Sequence, residues 1–338
     1  MKRQIKPFVL SAMLAAGISA AGAEPVTLKL GFPPPPSSFI NTHALAPWAK
    51  EIEQATKGEV VVQIFVGGTL ANYNNVLDRV LNNVTDIGYG MFGPLGNQFA
   101  KTSVTQLPFI EKASSVEISA ALWRLYANGV IADEFTTVKP LSLSVFTPSG
   151  YLASKPVRGL DDLKGLKVAV GSRQLAQIVD IAGAAPITMP APDVYQNLQR
   201  GLVDAAVLGW AATAAYKLHE VAKYFVDAPL GNSSKFVFMN KDAYARLPEA
   251  SRQAIDRLSG EALSRRMAKA TAEEADHGRD MVKAMPGYTV TFTGEDEIAR
   301  WKPRLAPIVE EWTKTTPDGA KVLAAFRTEL AKVKAEAR

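Results

Sequence analysis

Lys155–Trp210, KPVRGLDDLKGLKVAVGSRQLAQIVDIAGAAPITMPAPDVYQNLQRGLVDAAVLGW, reads as strand, helix, strand, helix, strand with short loops between. Leu166, Val168 and Val170 alternate as one face of a strand. Ser172 can cap a helix whose inner face is Leu175, Ile178, Val179 and Ala182. Gly183 fits the left-handed stop, and Pro186–Met189 forms a second strand. Pro192 suits the first turn of a helix carrying Tyr195, Leu198 and Leu202 inward, and Val203–Leu208 is a third strand. In open parallel sheets ligands sit beyond the carboxyl ends of the strands. Binding chemistry is therefore expected at Ala169–Arg173 and Leu208–Trp210.

The N-terminal part repeats this order. Val26–Phe32 is a strand, and His43–Lys57 is a helix with Leu45, Trp48, Ile52 and Ala55 on one face. Glu59–Val66 is an apolar strand, Tyr73–Val84 a helix, and Asp86–Phe92 the third strand. Two such units in one chain predict two similar α/β lobes with a cleft between them. Leu141, Leu143 and Val145 alternate along a strand that leads through Pro148 into the second lobe. Tyr224–Leu230 and Ser234–Met239 read as return strands, so the lobes form a hinged pair. A helix over Ser251–Met285, a strand at Tyr288–Thr293, and helices over Glu295–Lys314 and Pro317–Ala337 complete the chain.

Lys2, Arg3 and Lys6 precede an apolar run from Phe8 to about Gly22 and the small-residue sequence Ala21-Gly22-Ala23. This is the pattern of a secretory signal peptide cleaved after Ala23, and the run is too short to span a membrane. Its removal takes the formal charge from +5 to +2, with acidic and basic residues interspersed. That pattern gives no basic stripe for nucleic acid. The chain has no cysteine, which excludes disulfides, thiol catalysis and a lipid anchor on cysteine. A freely diffusing periplasmic protein, not itself membrane-spanning, fits these features.

Catalytic and metal-binding patterns are weak. His43, His219 and His277 lie on separate helices without zinc-ligand spacing, so no metal site is expected. No GxSxG elbow is present. The pairs Asp161-Asp162 and Glu273-Glu274 read as a turn and a solvated helix face. Gly88–Gly93 satisfies GxGxxG, yet Pro94-Leu95-Gly96 follows where a dinucleotide site needs a helix, so no cofactor is expected. The glycines read instead as places where backbone approaches a ligand or the facing lobe. Phe32, Tyr89, Phe92, Tyr151 and Trp210 converge on the expected cleft, and Arg173 is the strong cation near a strand end.

Several phrases together resemble the solute receptors of TRAP transporters, the DctP type. They are Thr56-Lys57-Gly58, Leu107-Pro108-Phe109, Lys155-Pro156-Val157, Asp162–Val168, Gly183-Ala184, Val194-Tyr195 and Asp204. The resemblance implies a two-lobed periplasmic solute-binding fold, with a hinged cleft and a long C-terminal helix spanning both lobes. It implies a non-enzyme that closes on a small organic acid and delivers it to TRAP membrane subunits, and the chain reads as a monomer. The lobes divide as 24–148 with 235–338, and 149–234. In the family an arginine usually ends the strand after Asp-Leu-Lys-Gly; the matching position here is Ala169, and Leu208 stands where many members carry asparagine. Arg173 would then substitute from one turn away, or the ligand is aromatic or weakly polar. The ligand site is thus expected at Phe32, Tyr89, Phe92, Tyr151, Ala169, Arg173, Leu208 and Trp210. The same closing cleft would also serve a periplasmic sensing system.

Overall fold

The computed structural model describes residues 24–109 and 112–336; the signal peptide expected over residues 1–23 lies outside them. Eleven strands among the described residues form two sheets. They are β1 (Val26–Gly31), β2 (Val60–Phe65), β3 (Ile87–Met91), β4 (Val138–Val145), β5 (Gly150–Ala153), β6 (Lys167–Val170), β7 (Ala185–Thr188), β8 (Ala205–Leu208), β9 (Tyr224–Asp227), β10 (Ser234–Asn240) and β11 (Thr289–Phe292). The first sheet runs β2-β1-β3-β10-β4 and the second β11-β9-β5-β8-β6-β7. In the first, β1 is parallel to β2 and β3, while β10 returns antiparallel between β3 and β4. In the second, β6 is parallel to β7 and β8, and β5 is antiparallel to β8 and β9. The inner strands β3, β10, β5 and β8 are buried on both faces, which is why they carry apolar residues on each side.

Alternation along β10 sorts its side chains. Phe236 and Phe238 face one helical layer, stacked at 3.9 Å between ring centres, and Val237 and Met239 face the other. The strand β4 departs from simple alternation. Val237 pairs with Ser142 and Phe238 with Pro140, so Leu141 is an extra residue in a β-bulge. Leu141 therefore packs on the face opposite Leu143 and Val145, whereas the sequence pattern places all three together.

Helix boundaries follow local chemistry. The helix expected over Tyr73–Val84 is shorter, Val76–Leu81. Ahead of it the Asn72 and Asn75 side chains accept from backbone N–H groups of 72, 74 and 75 and hold a turn. The single helix expected over Ser251–Met285 is two, Glu249–Leu258 and Gly260–Lys283. They part at Gly260, whose φ of +73° is glycine's to adopt and whose missing Cβ lets the Trp123 indole press against the backbone.

At 24 residues, Gly260–Lys283 is about 36 Å long. It packs on β4 and the Ser115–Ala127 helix of the first lobe and on the Trp210–Ala215 helix of the second. The chain crosses between lobes at 146–149, at 228–233 and a third time along this helix. The third crossing corrects the expected lobe division within 235–338: β11 joins the second sheet, parallel to β9. The helix that follows, Glu295–Thr315, packs on the second lobe's Arg173–Ile181 helix and on the Gly319–Glu336 helix, which lies on the first lobe.

Candidate functional site

The carboxyl ends of β3 and β6 face each other across the lobes. Gly93, two residues beyond β3, abuts the Gly171 carbonyl one residue beyond β6 so closely that a Cβ on Gly93 would overlap it. Near this contact lies a small cavity of about 60 Å³, less than the roughly 150 Å³ that admits a benzene ring, so a ligand of that size enters only as the wall moves. Tyr73, Tyr89, Met91 and Phe146 line it from the first lobe, and Leu208, Ala211, Ala212, Ala215 and Tyr216 from the second. Glu274, on the helix that spans both lobes, is the one charged residue in its wall among the described residues. The Tyr73 and Tyr216 hydroxyls meet across the lobes at 3.3 Å.

Burial sets the electrostatics. Glu274 is 5% exposed, accepts from the Ser38 hydroxyl at 3.5 Å, and is pushed up to about 7 by desolvation, against the pull of that bond, the Phe39 N–H and Lys235. Burial raises Tyr73 and Tyr89 well above the usual phenol range and Tyr216 to about 12, so all three are neutral hydrogen-bonding groups at physiological pH. Lys235 on β10 is fully buried, and desolvation holds its ammonium well below the ordinary lysine value. Its Nζ donates to the Val145 carbonyl at 2.6 Å and sits 4.0 Å from the centre of the Phe146 ring. The hydroxyls of Tyr89, Ser144 and Thr147 are buried without a partner. Such groups are rare in native proteins.

The eight residues anticipated from sequence divide three ways. Tyr89 and Leu208 line the cavity. Phe32 lies behind it, 4.9 Å from Tyr89 between ring centres and fully buried. The other five are elsewhere. Phe92 belongs to an aromatic core with Phe99, Phe236 and Phe238. Tyr151 and Trp210 line a separate small void, with Trp210 stacked on Phe225 and donating to Asp227 at 3.2 Å. Ala169 is packed in the second lobe's core beside Ala206, its register partner. The Arg173 side chain is 61% exposed and paired with Glu311 at 2.9 Å, in a broad groove of about 800 Å³ on the far side of the Gly93–Gly171 contact.

An exposed ion pair of that kind contributes less than about 1 kcal/mol. Arg173→Ala is thus expected to shift stability by no more than that and to leave ligand affinity within about twofold. Urea melts and titration of the variant check both.

The glycines of Gly88–Gly93 have packing roles. A Cβ on Gly88 would come within 2.6 Å of Val76 and 2.7 Å of Val80, and one on Gly90 would overlap the Phe236 ring. Only Gly93 faces the opposite lobe.

Two charged residues of the site carried a signal that polarity obscured. Lys235 shares its strand parity with Val237 and Met239, a lysine on a buried face. Glu274 continues the stripe Met267, Thr271, Glu274, Gly278 at helical spacing, a carboxylate on a buried face.

Two α/β lobes closing on a small buried cavity define a solute receptor. The chain belongs to the DctP family, bacterial extracellular solute-binding protein family 7, whose model matches residues 34–315. Family and fold are those of receptors, not enzymes. The chain is 31% identical over 310 residues to a Comamonas testosteroni protein described as outer membrane transporter protein TsaT, covering 90% of each chain. A TRAP solute-binding protein from Rhodoferax ferrireducens, solved with copurified benzoate, superposes with a TM-score of 0.88 at 25% identity, over 93% of this chain and 100% of that one. A TRAP periplasmic solute-binding protein from Bordetella bronchiseptica, solved with (R)- and (S)-mandelate, gives 0.84 at 26% identity, over 91% and 100%. No helix among the described residues is long and apolar enough to cross a membrane.

Proposed function

We propose that this chain is a periplasmic receptor, released by cleavage after Ala23, that captures an aromatic monocarboxylate between its lobes and delivers it to a TRAP-type membrane transporter. The observation that carries the ligand class is the cavity wall. Its surfaces are the rings of Tyr73, Tyr89, Phe146 and Tyr216 and the methyl groups of Ala211, Ala212 and Ala215, with few polar groups among them. Benzoate and mandelate, the acids held by the two structural relatives, have that chemistry. Glu274, the charged residue of the wall among the described residues, would repel a second carboxylate. The mechanism is population shift: the ligand touches both lobes in the closed form only and so favours it. The chain itself performs no chemistry on the acid and acts as a monomer.

The test is a thermal-shift and calorimetric comparison of the mature protein with benzoate, mandelate, succinate and glucuronate. At a hundredfold excess over Kd a ligand stabilises by about 2.7 kcal/mol, which raises Tm by about 4 °C in a chain of this size. Benzoate or mandelate is expected to give that rise and the two aliphatic acids none. Equal or larger rises with succinate or glucuronate would overturn the aromatic assignment.

A further inference from the structure

We propose that Lys235 is the counter-ion for the ligand's carboxylate, delivered from the first lobe's return strand and uncovered by a swing of the Phe146 ring. The inference rests on the reading of the cavity as a carboxylate site, and it names the cation that the cavity wall lacks.

Lys235 sits between Met91 on β3 and Ser144 on β4 in the first sheet. Met91 lines the cavity, as does Ser233, the residue two before Lys235. An ammonium has three protons to donate, and this one has a single hydrogen-bond acceptor, the Val145 carbonyl. Among the described residues no carboxylate lies within ion-pair distance of it; Glu274 bears on it only at longer range. The ring of Phe146 takes the place of an anion, with the ammonium 4.0 Å from its centre. A buried ammonium held by one carbonyl and one ring is costly, and a ligand's carboxylate would complete its pairing.

The surroundings point the same way. Ser144 is the register partner of Lys235, and its hydroxyl is buried and unpartnered. The hydroxyls of Tyr89 and Thr147, two cavity-lining residues, are also buried and unpartnered. One ammonium and three hydroxyls without acceptors form a donor set for the two oxygens of a carboxylate. Phe146 is half-buried and forms the wall between Nζ and the cavity. When its ring swings aside, the cation exchanges a ring face for an anion, and the ligand's own ring fills the aromatic space.

The experiment compares benzoate with benzamide, which share a ring and differ in charge, on the wild type, Lys235→Met and Lys235→Gln. The wild type is expected to prefer benzoate by on the order of a hundredfold, the loss typical of removing one partner of a buried charged pair. Both variants are expected to bind the two probes within about threefold of each other, the loss falling mainly on benzoate. Methionine replaces an incompletely paired buried cation by an apolar chain of similar length, so its Tm without ligand is expected to equal or exceed the wild type's. The glutamine variant gives the same reading if methionine disturbs folding. Benzoate bound undiminished by both variants would overturn the role of Lys235 and leave the receptor reading intact. A wild type that binds neither benzoate nor mandelate would remove the reading and this inference together.

Discussion

Gly93→Ala is expected to wedge the two lobes apart, while Gly171→Ala, on the other side of the same contact, is expected to be tolerated. The asymmetry follows from where each Cβ would point. On Gly93 it would overlap the Gly171 carbonyl oxygen, whereas on Gly171 it meets nothing within 4 Å. The carbonyl cannot easily turn away, because the next residue, Ser172, caps the Arg173–Ile181 helix through its hydroxyl and the Leu175 N–H at 3.4 Å. Relief must come from moving one lobe against the other. That motion strains the bonds that cross the cleft, Tyr73 to Tyr216 at 3.3 Å and Gln174 to the Ser103 hydroxyl at 3.2 Å.

Overpacking of this sort costs roughly 1–3 kcal/mol. The cost falls on the closed arrangement alone, so it appears as a loss of ligand affinity of about fivefold to a hundredfold. Small-angle scattering at one partly saturating benzoate concentration should show a larger radius of gyration for Gly93→Ala than for the wild type and for Gly171→Ala. Benzoate titration should rank the three in the same order. Identical behaviour of the two variants would show that the contact does not limit closure.

The scaffold was legible because burial imposes periodicity. The strand ends at Val170 and Leu208 follow from apolar runs bounded by glycine. The third strand of the first lobe stops at Met91, short of the expected Phe92, and the structure brings Met91 and Leu208 to one cavity. What the pattern could not supply was the third dimension at those ends. Arg173 lies one turn past a strand end and still projects away from the cavity, toward Glu311. Leu141 looks like its neighbours Leu143 and Val145, but the extra residue that turns it to the other face is defined only by pairing with β10. The strand at Thr289–Phe292 was readable as a strand, while its sheet was fixed by β9, far away in sequence. Glu274, which reads in sequence as part of a solvated helix face, is 5% exposed, and Lys235 is fully buried. Charged residues are usually solvated, and that prior outweighs periodicity unless the two are read together.

Glu274→Gln is expected to stabilise the ligand-free protein at pH 8 and to leave it nearly unchanged near pH 4. The Glu274 carboxyl is pushed up to about 7 by burial among Tyr73, Tyr89 and Tyr216, from an ordinary value of 4.5. A group raised in the folded state stabilises it fully below the unfolded value, and that contribution is lost as pH rises through the folded value. Below about pH 4.5 both states hold the proton and glutamic acid resembles glutamine. Above about pH 7 the folded state must carry a buried carboxylate, and the difference reaches about 3 kcal/mol. The Lys235 ammonium, held below the ordinary lysine value by burial, adds its own pH dependence to stability. It is present in both proteins and largely cancels in the difference between them. Loss of its attraction to Glu274 trims the gain without reversing it.

Urea melts of both proteins between pH 4 and pH 8 measure that difference directly. It should widen steadily with pH, and a constant offset or a glutamine variant weaker at pH 8 would show that Glu274 does not titrate as a buried acid. The same substitution removes a negative charge from the wall of a cavity assigned to an anion. Benzoate should therefore bind Glu274→Gln more tightly than wild type at pH 8, with the advantage fading toward pH 5 as the wild-type carboxyl takes up its proton.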